Sequence, residues 1–104
     1  MQNGTFKAVL TTKGRKTGKV HSVQLRAVSY NELIFFSRRN KDSDWLKNSL
    51  VEPIVQVEID GISYSGIASL VTDEVLARKI SELKYPGEER AQETRIVLQV
   101  KLTN

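Results

Sequence analysis

Period-two alternation of apolar and polar residues over most of the chain predicts a mainly β protein. Only two stretches show helical spacing, and six separable apolar segments read as strands. Six strands and two short helices within 104 residues fit a closed or nearly closed antiparallel barrel. Closure removes the exposed edges of so small a sheet. With 39% apolar and 27% charged residues, the chain fits one compact domain over residues 1–104, built on a single core.

The first strand covers residues 6–13 and closes in a turn at 14–18. The second covers 19–30, with Val23, Leu25 and Ala27 on one face and Ser22, Gln24 and Arg26 on the other. The tetrad Ser29-Tyr30-Asn31-Glu32 reads as a turn, and Leu33-Ile34-Phe35-Phe36 as a short apolar third strand. A helix follows over residues 42–50, with acidic and hydroxyl residues at its start and Trp45, Leu46, Ser49 and Leu50 on a shared face. After Pro53, Val55, Val57 and Ile59 point to the core. Asp60-Gly61 is a strong hairpin signal. The returning strand sets Ile62, Tyr64, Gly66, Ala68 and Leu70 against Ser63, Ser65 and Ser69. Thr72 reads as the cap of a second helix whose apolar seam is Leu76, Ile80 and Leu83, and Tyr85-Pro86-Gly87 ends it. Residues 88–93 form a polar connection to a last strand burying Ile96, Leu98, Val100 and Leu102.

Charge is uneven. Residues 1–50 hold ten Lys/Arg against Glu32, Asp42 and Asp44, a surplus of +7; residues 51–104 carry −3, restoring the net +4. A basic half on a small protein implies an anionic partner: nucleic acid, a phosphorylated cofactor or an acidic protein surface. Several classes fall away. The chain has no cysteine, which excludes disulfides, thiolate metal sites and cysteine nucleophiles. One histidine and no HExxH pattern argue against zinc, so no metal site is expected. No paired carboxylates and no Ser/His/Asp set suggest hydrolysis. No secretory signal is visible at the amino terminus, and no apolar run approaches the ~20 residues of a membrane-spanning helix. The cytoplasm is the expected setting, with the Asn3-Gly4-Thr5 sequon inert and no membrane partner.

The stretch TTKGRKTGKVHS, residues 11–22, packs four cations and two glycines into a dozen positions. Gly14 and Gly18 leave backbone N–H groups uncovered, so an anion can approach the turn closely. Arg15 adds a bidentate fork, Lys16 a point charge and Thr17 a hydroxyl donor. That is phosphate-binding chemistry, but the GxxxxGK[ST] spacing of a Walker loop is absent. A solvated basic hairpin accounts for the same residues, since charged turns are common.

The run LTTKGRKTGK, followed by a strand and then by SRRNKDSDWLKNSLVEPIVQVEIDG, resembles the deazaflavin-dependent nitroreductase family. That family belongs to the split-barrel flavin-binding proteins related to pyridoxamine 5'-phosphate oxidases. Its motif T-T-x-G-R-K-[TS]-G matches residues 11–18. A serine-containing segment matches Ser37, and W-x-x-N-x-x-x-x-P matches Trp45, Asn48 and Pro53. The resemblance covers residues 8–72, with a weaker echo at 94–102. It implies a six-stranded split β-barrel of the FMN-binding type, often a homodimer, holding the deazaflavin coenzyme F(420) or, as in some relatives, FMN. Carried over, Arg15, Lys16, Thr17 and Gly18 meet the cofactor phosphate and acidic tail. Ser37, Arg38 and Arg39 fall near the same phosphate, and Trp45 and Asn48 lie on the helix that flanks the ring. The chain departs from the pattern at Gln24, where the family has proline, and at Arg26, where it has an aromatic residue.

Individual residues carry competing readings. Trp45 either walls the cofactor ring or anchors its helix in the core. His21 stands beside the basic turn, where it contacts phosphate, donates a proton or is simply a polar surface group. Arg38-Arg39 either hold an anion or solubilise a turn, and Tyr64 is expected to pack inward. The expected function is a flavin- or deazaflavin-dependent reductase passing a hydride to a quinone, nitroaromatic or enone acceptor. No catalytic side chain is assigned, because in this class the cofactor carries the chemistry. The rivals are a non-catalytic flavin-binding barrel and a small basic barrel for single-stranded nucleic acid. The latter lacks exposed aromatics interleaved with cations, so nucleic acid is disfavoured as a partner.

Overall fold

A computed structural model describes residues 3–38, 43–92 and 95–103. In chain order the elements are β1 (Gly4–Lys13), β2 (Val20–Tyr30), β3 (Leu33–Arg38), α1 (Asp44–Val51), β4 (Ile54–Ile59), β5 (Ile62–Leu70), α2 (Glu74–Lys84), a 3-10 turn (Glu89–Gln92) and β6 (Ile96–Leu102). All strand pairs are antiparallel and close a barrel in the order β1-β2-β3-β6-β5-β4. The seam is the short β1–β4 pairing from Val9↔Glu58 to Thr11↔Gln56. The six-stranded barrel with two helices expected from the sequence is the observed fold.

Two hairpins use consecutive left-handed residues, the backbone twist that suits a two-residue loop. Asn31 and Glu32 (φ 52° and 65°) join β2 to β3, and Asp60 and Gly61 (φ 51° and 79°) join β4 to β5. Inside the barrel Leu10, Ala27, Ile34, Phe36, Val55, Val57, Leu98 and Val100 are buried, with Trp45 and Leu46 of α1 plugging one end. Gly66 faces this interior because a Cβ there would sit 2.6 Å from Val100 Cγ1.

A second core lies outside the barrel. Val28, Phe35 and Val97 point outward from β2, β3 and β6, and Ile80 of α2 covers them. With the barrel interior on one side and α2 on the other, β3 is buried on both faces, which explains its unbroken apolar run.

Three local expectations are corrected. Asp73, not Thr72, caps α2: its carboxylate accepts from the backbone N–H groups of Val75 (2.9 Å) and Leu76 (3.3 Å). A carboxylate there also meets the positive end of the helix dipole. Leu50 is 47% exposed. It sits about 40° further round α1 than Leu46, beyond the buried arc. Ile62 and Leu70 are exposed because they end β5, Ile62 at the hairpin tip. Asp42, the expected start of α1, lies outside the described residues, within which the helix begins at Asp44.

Candidate functional site

β1 and β2 stay paired to Lys13↔Val20, past the last β1–β4 pair at Thr11↔Gln56. The hairpin therefore projects beyond the barrel mouth. On its inward face the apolar rungs Ala8↔Leu25 and Leu10↔Val23 give way to a polar rung, Thr12↔His21. Alternation carries both side chains toward the same side as the core, where α1 crosses beneath them. Thr12 is buried against α1, and His21, further from the barrel, is exposed.

The connecting turn is tightly closed. Gly14 N–H donates to Lys19 O (2.7 Å), Gly18 N–H to Gly14 O (2.9 Å), and Lys19 N–H to Thr17 Oγ1 (3.2 Å). Gly18 has φ 74°, a conformation in which a side chain is strained. Gly14 permits a close approach, since a Cβ on it would lie 3.1 Å from both His21 Nε2 and Lys19 O.

Asn48, 4% exposed on α1, ties this turn to the barrel. Its Oδ1 accepts from Arg15 N–H (3.2 Å) and Arg15 Nη1 (2.7 Å), and its Nδ2 donates to Thr12 Oγ1 (3.5 Å). Arg15 Nη2 also lies 3.6 Å from Asp44 Oδ1, whose carboxylate is 86% exposed, so that contact is screened by water. Arg38 Nε donates to Ser43 Oγ at 3.0 Å.

Between the hairpin, the end of β3 and α1 lies a cleft of about 650 Å³. Among the described residues, Arg15, Lys16 and Arg38 bring cations to it and Asp44 a carboxylate, while Val23 and Trp45 supply apolar surface. Trp45 belongs to both environments. It is 7% exposed and meets Phe36 edge-on, with centroids 6.2 Å apart and planes at 64°, yet it also lines the cleft. Its Nε1 is buried and has no hydrogen-bond partner among the described residues.

Of the residues singled out in the sequence, Arg15, Lys16, Thr17, Arg38, Trp45 and Asn48 come together in this cleft. Gly18 closes the turn without lining it. Ser37 goes elsewhere. It pairs with Val97 on the outward face of β3, where Lys84 Nζ of α2 donates to its carbonyl oxygen (3.3 Å) and its Oγ (3.2 Å). Burial pushes the Lys84 ammonium below its ordinary value of 10.5, with Arg95 and Arg26 adding to the effect and Tyr85 opposing it. Arg39 lies outside the described residues. Sequence reasoning missed Thr12, Ser22, Val23, Ser43 and Asp44 as lining residues. The available signal was the inward alternation from Ala27 through Leu25 and Val23 to His21, which predicts where the core face reaches solvent.

Among the described residues no three or more His, Cys, Asp or Glu gather as a metal site, and no described helix is long and apolar enough to cross a membrane.

The closed six-stranded barrel with a cationic, partly apolar cleft at its mouth is of the split-barrel type. Within it, the chain belongs to the F420H(2)-dependent quinone reductase family, whose model matches residues 2–103. No curated protein matches the chain. Among solved structures it resembles an F420-H2 dependent reductase at 23% identity, over 91% of this chain and 93% of that one, with a TM-score of 0.73. A chain described as a domain-swapped dimer matches at 23% identity over 91% and 79%, also at 0.73. A FAD-binding protein from Mesorhizobium loti matches at 12% identity over 100% and 95%, at 0.62. At these identities the structural likeness shows the fold.

Proposed function

We propose that the cleft binds the reduced deazaflavin coenzyme F(420) and that the protein passes its hydride to a quinone, nitroaromatic or enone acceptor. The observation that carries this reading is the combination, in one cleft, of Arg15, Lys16 and Arg38 with the apolar surfaces of Trp45 and Val23. The donor set fits the group. Guanidinium, ammonium and the Thr17 hydroxyl suit a phosphate and an acidic tail, while an indole and a valine suit a planar ring. Family membership independently supports a deazaflavin-dependent reductase.

When bound, the coenzyme supplies the hydride; the chain supplies affinity, orientation and exclusion of water. Arg15, held by Asn48, fixes the position of the anionic part. Lys16 and Thr17 follow it on the same closed turn. Trp45, braced by Phe36, gives the ring a wall. The protein works in the cytoplasm as one domain over residues 1–104. It forms a homodimer through Leu50, Val51, Ile54 and Ile67, exposed apolar residues at the end of α1 and the adjoining β4–β5 pair Ile54↔Ile67.

The test is a spectroscopic titration of the purified protein with the coenzyme, compared with Lys16→Ala and with Arg15→Ala/Lys16→Ala. Each lost charged hydrogen bond should weaken binding by about 1.5–3 kcal/mol. The thermal midpoint of Lys16→Ala should stay near that of wild type, because its charge is exposed. Unchanged affinity in the double variant returns the turn to a solvated hairpin. The same titration with FMN decides between the two cofactors. Tight binding without turnover of any acceptor leaves a storage barrel.

A further inference from the structure

We infer that His21 is a ligand for the anionic part of the cofactor, its imidazole adding a positive charge to the cleft when protonated. The inference rests on the deazaflavin reading above and deepens it.

Three observations carry it. The register places His21 opposite Thr12 on the inward face of the projecting hairpin, in line with Val23 and Leu25 below. Its exposed ring lies beside the turn, where the missing Cβ of Gly14 leaves room for it; a Cβ there would lie 3.1 Å from Nε2 and 3.2 Å from Cδ2. And it lines the same cleft as the cations from the turn and from β3. Among the described residues, the charged groups around that cleft are Arg15 and Lys16 on the turn, Arg38 on β3 and Asp44 on α1. Lys19 lends its carbonyl to the turn hydrogen bond with Gly14.

The sign follows from Coulomb's law. An anion seated among Arg15, Lys16 and Arg38 attracts a positive charge and so favours imidazolium over neutral imidazole. Binding is then linked to proton uptake, and affinity rises as pH falls through the interval of about 5 to 8 in which imidazoles gain their charge. A permanently charged residue at this position would lack that dependence.

His21 is the only histidine in the chain, so its ring signals are unambiguous in a proton NMR titration. Saturating oxidised coenzyme F(420) should move the imidazole midpoint upward. Coenzyme affinity of His21→Asn should fall about tenfold at pH ~5.5 and match wild type at pH ~8.5, the change in slope being the readout. His21→Lys should bind tightly at both. Far-UV circular dichroism checks that each variant is folded. Coenzyme that binds wild type without moving the midpoint, with His21→Asn equal to wild type at every pH, overturns the His21 proposal alone. Coenzyme that binds no variant and not wild type at any pH removes the deazaflavin reading and this inference with it.

Discussion

Asn48 Oδ1 accepts both the backbone N–H of Arg15, at 3.2 Å, and its Nη1, at 2.7 Å, across 33 residues of sequence. One amide oxygen on a buried helix face thus holds both the start of a basic turn and the guanidinium extending from it. Arg15 loses rotamer freedom before any ligand arrives, which reduces the entropy cost of binding. The hydrogen bonds make α1 the support of the anion end of the cleft as well as a plug for the barrel.

The first prediction follows from that pair. Asn48→Ala should lower stability by about 1–3 kcal/mol, since it strands the Arg15 N–H and removes a buried amide. In coenzyme affinity, Arg15→Ala, Asn48→Ala and the double variant should show a coupling of about 0.5–3 kcal/mol. Additive losses in that cycle would show that Asn48 does not position Arg15.

Lys84 predicts an alkaline dependence of stability. Its folded value is lowered, chiefly by burial, from 10.5. Between the folded and unfolded values the unfolded chain binds the extra proton, so unfolding free energy rises with pH there. The penalty is fully present below the folded value and is relieved as pH climbs toward 10.5. Chemical denaturation of wild type and Lys84→Met from neutral to alkaline pH should give the steeper rise for wild type. Parallel curves refute the desolvated ammonium, whatever Lys84→Met does to absolute stability by freeing Ser37.

Gly66 tests packing inside the barrel. A methyl at this position would meet Val100 Cγ1 at 2.6 Å and Lys101 O at 3.2 Å. Overpacking of this kind costs about 1–3 kcal/mol. Gly66→Ala should therefore lower the denaturation midpoint. Pairing it with Val100→Ala, which vacates the contact, should cost less than the sum of the two single changes. Simple additivity rejects the clash.

The fold was legible in the sequence because a barrel interior obeys alternation: Leu10, Val55, Val57, Leu98 and Val100 sit where period two puts them. Alternation fails at β3, β6 and the end of β2, where Val28, Phe35 and Val97 also find cover under Ile80. Burial of an outward face depends on a helix arriving from a distant part of the chain, which no local pattern encodes. The same cause redirected Ser37. Its place in the motif suggested the cofactor, but strand parity turns it toward α2, opposite to Phe36. Arg15, Lys16 and Trp45 were legible as chemistry. The bond between Asn48 and Arg15 was not, because helical spacing says which residues face inward but not which loop they meet.

The apolar patch tests assembly. Val51, Ile54 and Ile67 are 63%, 64% and 50% exposed. Placing charges there by Ile54→Lys and Ile67→Lys should shift a dimer toward monomer in light scattering without unfolding the barrel, as both residues already meet solvent. A wild-type protein that is monomeric across micromolar concentrations rejects the dimer.

The last prediction concerns Trp45, which is both braced by Phe36 and part of the cleft wall. It is the only tryptophan, so its emission reports this site alone. Bound coenzyme should quench that emission, with a titration curve superimposing on the absorbance change. Trp45→Phe keeps an aromatic ring against Phe36 but leaves part of the indole volume empty, which costs stability. It also removes Nε1, a buried donor without a partner among the described residues, which offsets part of the loss. The net cost should stay near about 1–2 kcal/mol, small enough to leave the variant folded. Its defect should appear in function: weaker coenzyme binding, and slower oxidation of reduced coenzyme by a quinone or nitro acceptor. Coenzyme that binds with full affinity to Trp45→Phe and leaves wild-type emission unaltered would assign Trp45 to the core alone, and the ring would need another wall.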